Sequence, residues 1–254
     1  MIKKSIIPLK KMVFFSILMF SCDFSNINEE FRLNNTYWNL SDYSNAVSKI
    51  RYSNIKEQKP SYSNPETRLV FEKIIDQNNI LVVVNDSELG LKHKVEYTEK
   101  MFGHYQVLTK VYSKLNREDK YVYPREFVDL LSFGLFLQLH YFDLGNQNII
   151  QQSDNPNSSS AKSNINANVQ TLISNYNIYL NIVKQEHSLN EEALDTFVIG
   201  INTYFYQLIE KYPKANYHEM KIKAQNMRAK TNSKKVEKAL QNLVDKIEMQ
   251  KKQA

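Results

Sequence analysis

The chain has 254 residues, of which 42% are hydrophobic and 24% are charged, so we expect a packed globular core and exclude general disorder. Only 5 glycines and 6 prolines are present, which argues against collagen-like, proline-rich and many-turned β-sandwich folds. The formal net charge is +6, and a single cysteine excludes both an intramolecular disulfide framework and a zinc site built on cysteines.

The first 22 residues follow the pattern of a secretory signal peptide. Lysines at positions 3, 4, 10 and 11 precede an apolar run over residues 12–20. This run is shorter than the ~20 apolar residues of a transmembrane helix, and Ser21 and Cys22 follow it. The sequence therefore predicts a cleaved leader, residues 1–21, rather than a membrane-spanning anchor.

Residues 18–22, Leu-Met-Phe-Ser-Cys, resemble the lipobox of bacterial lipoproteins, in the loose form familiar among spirochaetes. The resemblance implies that Cys22 becomes an acylated N-terminus, which anchors the protein to a membrane of the bacterial cell envelope without spanning it. The outer membrane is favoured and the inner membrane stays open, as does orientation towards the cell surface or towards the periplasm. Loss of the four leader lysines would lower the net charge from +6 to about +2.

The residues that follow the cysteine are predicted to form a tether and then a helical half. Residues 22–35 are polar and predict the tether, and residues 36–144 the N-terminal helical half. Helices are expected over 42–51, after Pro65, and over 87–116, because apolar residues recur there every three or four positions.

Two apolar stretches of this half need a separate decision. Residues 80–84, Ile-Leu-Val-Val-Val, also fit a lone buried strand, which would have no sheet to join. Residues 127–142, which follow Pro124, are apolar on nearly every helical face. That pattern favours a central buried helix over a membrane span, because polar residues interrupt it and it is short.

The rest of the chain is predicted to be a linker followed by a second helical half. Residues 145–168 are rich in Asn, Ser and Gln and predict a flexible linker or a long exposed loop. The C-terminal half, residues 169–254, shows three or four helical patterns, with caps at Asn190 and Ser233. Together these patterns predict an all-α, multi-helix bundle of about six to eight helices with a long Asn/Ser-rich connection.

Motifs that carry chemistry are absent from the sequence. There is no phosphate-binding glycine loop, nucleophile elbow or zinc-binding histidine pair. His218 and Glu219 begin like a zinc-protease helix, but Ile222 stands where the second histidine is needed. We therefore predict no catalytic residue, no metal and no cofactor, and expect the five histidines to be surface or core residues.

The C-terminal part carries most of the positive charge. Residues 211–254 hold 12 Lys and Arg against 4 Asp and Glu, whereas residues 22–210 hold 17 against 23. Three interpretations of this basic part stay open: it packs against the acidic body, it contacts anionic membrane headgroups, or it binds nucleic acid. An exported location opposes the third interpretation. The candidate contacts to an acidic partner or a membrane lie in the last predicted helix: Lys234, Lys235, Lys238, Lys246, Lys251 and Lys252. Its apolar positions, expected to face the body or the partner, are Val236, Leu240, Leu243 and Ile247.

Two functional classes remain. The first is a lipid-anchored, non-enzymatic protein with a binding or structural role, whose partner is an envelope component or a host protein and not nucleic acid. The second is an envelope hydrolase, whose site would need a carboxylate or histidine pair with a perturbed pKa in a cleft. The absent motifs favour the first class.

Overall fold

The computed structural model describes residues 24–52, 59–113 and 122–253, and every regular element within these ranges is helical. This confirms the predicted all-α, multi-helix bundle. In chain order the α-helices are α1 (Phe24–Phe31), α2 (Leu40–Tyr52), α3 (Arg68–Ile74), α4 (Asn78–Val84), α5 (Leu91–Ser113), α6 (Pro124–Gln152), α7 (Ser159–Tyr179), α8 (Glu191–Gly200), α9 (Tyr206–Lys211), α10 (His218–Arg228) and α11 (Lys234–Gln253). A 3₁₀ segment, Leu180–Ser188, continues α7, and a π-helical turn, Ile201–Phe205, joins α8 to α9.

Helix α6 is the centre of the bundle and belongs to both of its cores. Val128, Leu135 and Leu139 pack into the core formed with the C-terminal helices. Residues on the opposite face, among them Leu130 and Phe133, pack into the core formed with the N-terminal helices. By length and composition α6 alone among the described helices could cross a membrane, but 61% of its most apolar window is buried inside the bundle. The apolar surface of α6 is thus used for helix packing, as the sequence predicted.

The N-terminal core is aromatic and is tied together by buried hydroxyl groups. Tyr43 donates from its hydroxyl to the carbonyl oxygen of Ile74 at 3.0 Å, and Tyr112 donates to that of Pro60 at 2.6 Å. The strand considered for residues 80–84 is helix α4 instead. A helix satisfies its backbone hydrogen bonds internally, whereas a lone strand would have no neighbouring strand to bond to. The side chain of Ile80 in this helix is fully buried in the core.

The predicted tether, residues 22–35, is largely structured from Phe24 onwards. Helix α1 occupies Phe24–Phe31, and its Ile27 and Phe31 pack against the N-terminal core. Lys49 of α2 donates to the carbonyl oxygen of Glu30 at 2.7 Å, and Asp42 accepts from Arg32 at 3.0 Å. The tether interpretation was therefore wrong for residues 24–35, because two apolar side chains and two polar contacts suffice to dock them on α2.

The predicted linker, residues 145–168, is mostly helical. Helix α6 runs to Gln152 and α7 starts at Ser159, which leaves residues 153–158 as the connection. Asparagine side chains connect these helices. Asn168 of α7 donates to Asn146 of α6 at 3.0 Å, and Asn146 donates to the hydroxyl of Tyr212, just after α9, at 3.3 Å. The boundaries drawn at 144 and 168 lie inside helices, and the two halves share α6 rather than standing apart.

Candidate functional site

The last two helices, α10 and α11, form a basic pair on the C-terminal core. Ser233 lies at the start of α11, where its carbonyl oxygen accepts from Glu237 N at 2.9 Å. The predicted apolar seam is buried, with Val236, Leu240 and Leu243 at 0% exposure and Ile247 at 7%. The spacing of four, three and four residues places these side chains on one stripe, which packs against the body of the same chain.

Two of the six candidate lysines are engaged within the fold. Lys235 Nζ lies 2.7 Å from Glu191 Oε2 and 2.6 Å from Asp195 Oδ1, and these carboxylates hold the pKa of Lys235 above its ordinary value. Lys246 Nζ lies 2.6 Å from Glu210 Oε1. These lysines join α11 to α8 and α9, so part of the basic charge complements the acidic body.

The other four candidate lysines are exposed. Lys234, Lys238, Lys251 and Lys252 have no carboxylate oxygen within 4.0 Å of the ammonium nitrogen among the residues the structure describes. Lys252 also feels the charge of Glu248, one helical turn away. Exposed charges of this kind are screened by salt over ~8 Å at physiological ionic strength. These four, and not the six together, form the set available to an acidic partner.

A cavity of about 260 Å³ opens at the C-terminal end of α11. Its walls come from the connection between α9 and α10, the first turn of α10, and the last turns of α11. Lys251 is one of the lining residues and so connects the cavity to the exposed lysine set.

A carboxylate pair that the sequence analysis did not single out lies at the start of α6. Glu126, which is 4% exposed, accepts from Tyr62 N at 2.7 Å, and Asp129 accepts from the Tyr62 hydroxyl at 2.8 Å. The guanidinium of Arg125 lies 3.9 Å from the centre of the Tyr62 ring and 3.4 Å from Glu192 Oε2. Burial raises the pKa of both Glu126 and Asp129 above the ordinary carboxyl value.

This pair meets part of the requirement for an enzymatic site, since two acids with raised pKa values lie one helical turn apart. Their close contacts, however, go to groups of the protein itself and tie residue 62 to α6, while Arg125 joins α6 to Glu192 of α8. The arrangement locks the N-terminal segment to the bundle. Nothing in the sequence pointed to it, because Tyr62 and the two acids are more than 60 positions apart.

The histidines behave as core or surface residues. The His104 ring lies 6.0 Å from that of Tyr43 and the His140 ring 4.6 Å from that of Phe136, and burial lowers the pKa of both histidines. His93, His187 and His218 are exposed. Within the described ranges, no three His, Cys, Asp or Glu side chains come together as metal ligands.

Cys22, the predicted lipidation site, lies outside the described residues.

Compared with models of known protein families, with curated proteins and with solved structures, the chain shows no match. The roles of the residues above are therefore argued from their own geometry and chemistry.

Proposed function

We propose that the protein is a lipid-anchored component of a bacterial cell envelope that binds an acidic partner protein without catalysing a reaction. The observation that carries the anchor is the order of basic residues, short apolar run, Ser21 and Cys22 in the first 22 positions. A lipoprotein cysteine carries a diacylglycerol on its sulfur and an acyl chain on its amino group, which makes three acyl chains. Stable membrane attachment needs only two anchoring groups. The leading alternative, an envelope hydrolase, has only the Glu126–Asp129 pair in its favour, and the close contacts of that pair go to groups of the protein itself.

The position of α1 supports an anchor that lies close to the folded body. Cys22 precedes Phe24, the first residue of α1, by two positions, and two residues span at most ~7 Å. Because α1 packs on α2, a lipid at Cys22 would hold the helical bundle close to the membrane surface rather than on a long tether. The burial of α6 supports the same arrangement, since the one described helix that is long and apolar enough to cross a membrane is used in the core.

The exposed lysines of α11 support the binding role. Lys234, Lys238, Lys251 and Lys252 present positive charge without an ion-pair partner in the described structure, whereas Lys235 and Lys246 are paired. The four lysines lie near the two ends of α11, and exposed acids at positions 237, 245 and 248 lie between them, so the helix has a net positive charge without being of one sign. A net positive surface attracts a partner of the opposite sign and raises the rate of encounter.

Metabolic labelling with a radioactive fatty acid tests the anchor. Wild type should incorporate label and Cys22→Ala should not, whereas Ser25→Ala, three residues further on, should be labelled like wild type. Equal labelling of wild type and Cys22→Ala, or label in neither, contradicts the anchor.

Carbodiimide crosslinking in isolated cell envelopes tests the partner, because this reagent joins lysines to carboxylates in direct contact. Wild type should give a discrete adduct that is lost when the four exposed lysines are all changed to alanine. An adduct that persists in this variant, or the lack of any adduct in wild type, contradicts the binding role.

A further inference from the structure

The cavity at the end of α11 has an apolar floor. Ala215, Tyr217 and Ile247 line it, and Tyr217 and Ile247 are only 5% and 7% exposed. The Tyr217 hydroxyl donates to the carbonyl oxygens of Leu208 and Tyr212, at 3.1 and 3.0 Å. These bonds fix the ring, so the floor is preformed and its polar atom is already satisfied.

The rim of the cavity is basic. Lys221 Nζ lies 2.6 Å from Glu248 Oε1, and this ion pair neutralises one wall. Lys214 and Lys251 are exposed on the rim, and no carboxylate oxygen of the described residues lies within 4.0 Å of either ammonium nitrogen. The cavity thus combines two available positive charges with a small apolar surface.

The size of the cavity limits its occupant. Small-molecule sites usually enclose ~300–1,000 Å³, and about 260 Å³ is enough for one side chain and an attached carboxylate. A residue at the end of a polypeptide carries both groups together, whereas an internal Asp or Glu carries a carboxylate without an apolar side chain. Capture of a C-terminal carboxylate is a recurring mode of peptide recognition.

We propose that this cavity binds the C-terminal residue of a partner protein, with an apolar side chain on Tyr217 and Ile247 and a free carboxylate paired with Lys214 and Lys251. The proposal rests on the proposed protein-binding function and names the chemistry of the partner. Lys251 belongs to both the cavity and the exposed set on α11, so the contact would continue along that helix.

Fluorescence anisotropy with labelled peptides tests the proposal. The probe is fluorescein-Gly-Ser-Gly-Ser-Leu with a free C-terminal carboxylate, compared with the same peptide as its C-terminal amide, titrated with the full chain up to about 1 mM. The free acid should bind at least about tenfold more tightly, which is the factor expected for a charge-assisted hydrogen bond. The double variant Lys214→Ala, Lys251→Ala should bind the acid no better than wild type binds the amide.

The matched control is Lys100→Ala, Lys110→Ala on α5, which removes the same charge from two exposed lysines that lie neither in the cavity nor on α11, and it should leave the affinity unchanged. Ala215→Phe, which fills the floor, should weaken the binding of acid and amide alike, and its melting curve shows whether it is folded. The same peptide is also tested with Val or Phe in place of the final Leu. The proposal is overturned if acid and amide bind equally well, if the control variant loses as much affinity as the cavity variant, or if none of the three peptides binds.

A membrane is the competing partner of these lysines. Binding to phosphatidylglycerol vesicles that requires Lys214 and Lys251, together with no peptide binding, also overturns the proposal and assigns the rim to lipid headgroups. Failure here is distinguishable from failure of the proposed function. The fatty-acid label depends on Cys22 alone, and the carbodiimide adduct of the wild-type chain does not require the cavity.

Discussion

Reversing the charge of Lys235 and Lys246 together, to glutamate, should destabilise the protein. Their ammonium groups make three ion pairs with Glu191, Asp195 and Glu210, at 2.6–2.7 Å, and the lysine side chains are 30% and 23% exposed. An ion pair near the surface contributes ~0.2–1 kcal/mol, and a like-charge pair costs a similar amount. Because the three carboxylates are 60–84% exposed, each term lies in the lower part of that range. Three lost pairs and three new repulsions therefore reduce the free energy of unfolding by about 1–3 kcal/mol.

The assay is thermal unfolding followed by circular dichroism. For a chain of this size each kcal/mol shifts the melting temperature by ~2–4 °C, so the double variant should melt about 2–12 °C below wild type. The difference should shrink in 0.5 M salt, because the carboxylates of these pairs are largely exposed and salt screens them.

The matched control is Lys234→Glu, Lys238→Glu on the same helix. Both lysines are exposed and neither makes an ion pair with a described residue, so their reversal should change the free energy of unfolding by less than about 0.5 kcal/mol. Equal melting temperatures for the two double variants would refute the reasoning, because docking of α11 would then not depend on these pairs.

Three further experiments test the packing, the buried carboxylate and the helix boundaries of the bundle. Gly134→Ala would place a Cβ against the buried ring of Tyr105 and should cost about 1–3 kcal/mol, whereas Gly103→Ala, with nothing within 4 Å, should be neutral or stabilising; chemical denaturation compares them. Burial holds the pKa of Glu126 above its ordinary value of 4.5, so the folded state binds this proton more tightly and wild type loses stability as the pH rises between the two pKa values. Glu126→Gln keeps an acceptor for Tyr62 N and should gain stability relative to wild type in urea titrations as the pH rises above the ordinary carboxyl pKa of 4.5. The opposite trend contradicts the raised pKa. Limited proteolysis should cut the connection at residues 153–158 before it cuts residues 159–168, because the latter are helical. First cuts within residues 159–168 would contradict a helix that starts at Ser159.

The helix boundaries that depend on neighbouring residues could be predicted from the sequence. Asn190 caps α8 by accepting from Ala193 N at 3.0 Å, and Pro124 occupies the first turn of α6. Caps and prolines act through the backbone of the next few residues, so their effect is local. The central position of α6 was also predictable, because a helix apolar all round must be buried on every side. The buried stripe of α11 follows from the same periodicity.

The tertiary structure decided what depends on residues far apart in the chain. The Asn-rich stretch looks like a linker by composition, yet Asn146 and Asn168 satisfy each other across two helices. The partner of each lysine on α11 could not be predicted either, because a charge pattern shows the sign of a surface and not which carboxylates lie opposite it. The carboxylate pair at Tyr62 and the cavity at Tyr217 arise only when α6 meets residue 62 and when α11 meets the α9–α10 connection. Composition and periodicity are properties of neighbouring residues, whereas sites are made where distant segments touch, and this chain forms its sites at such contacts.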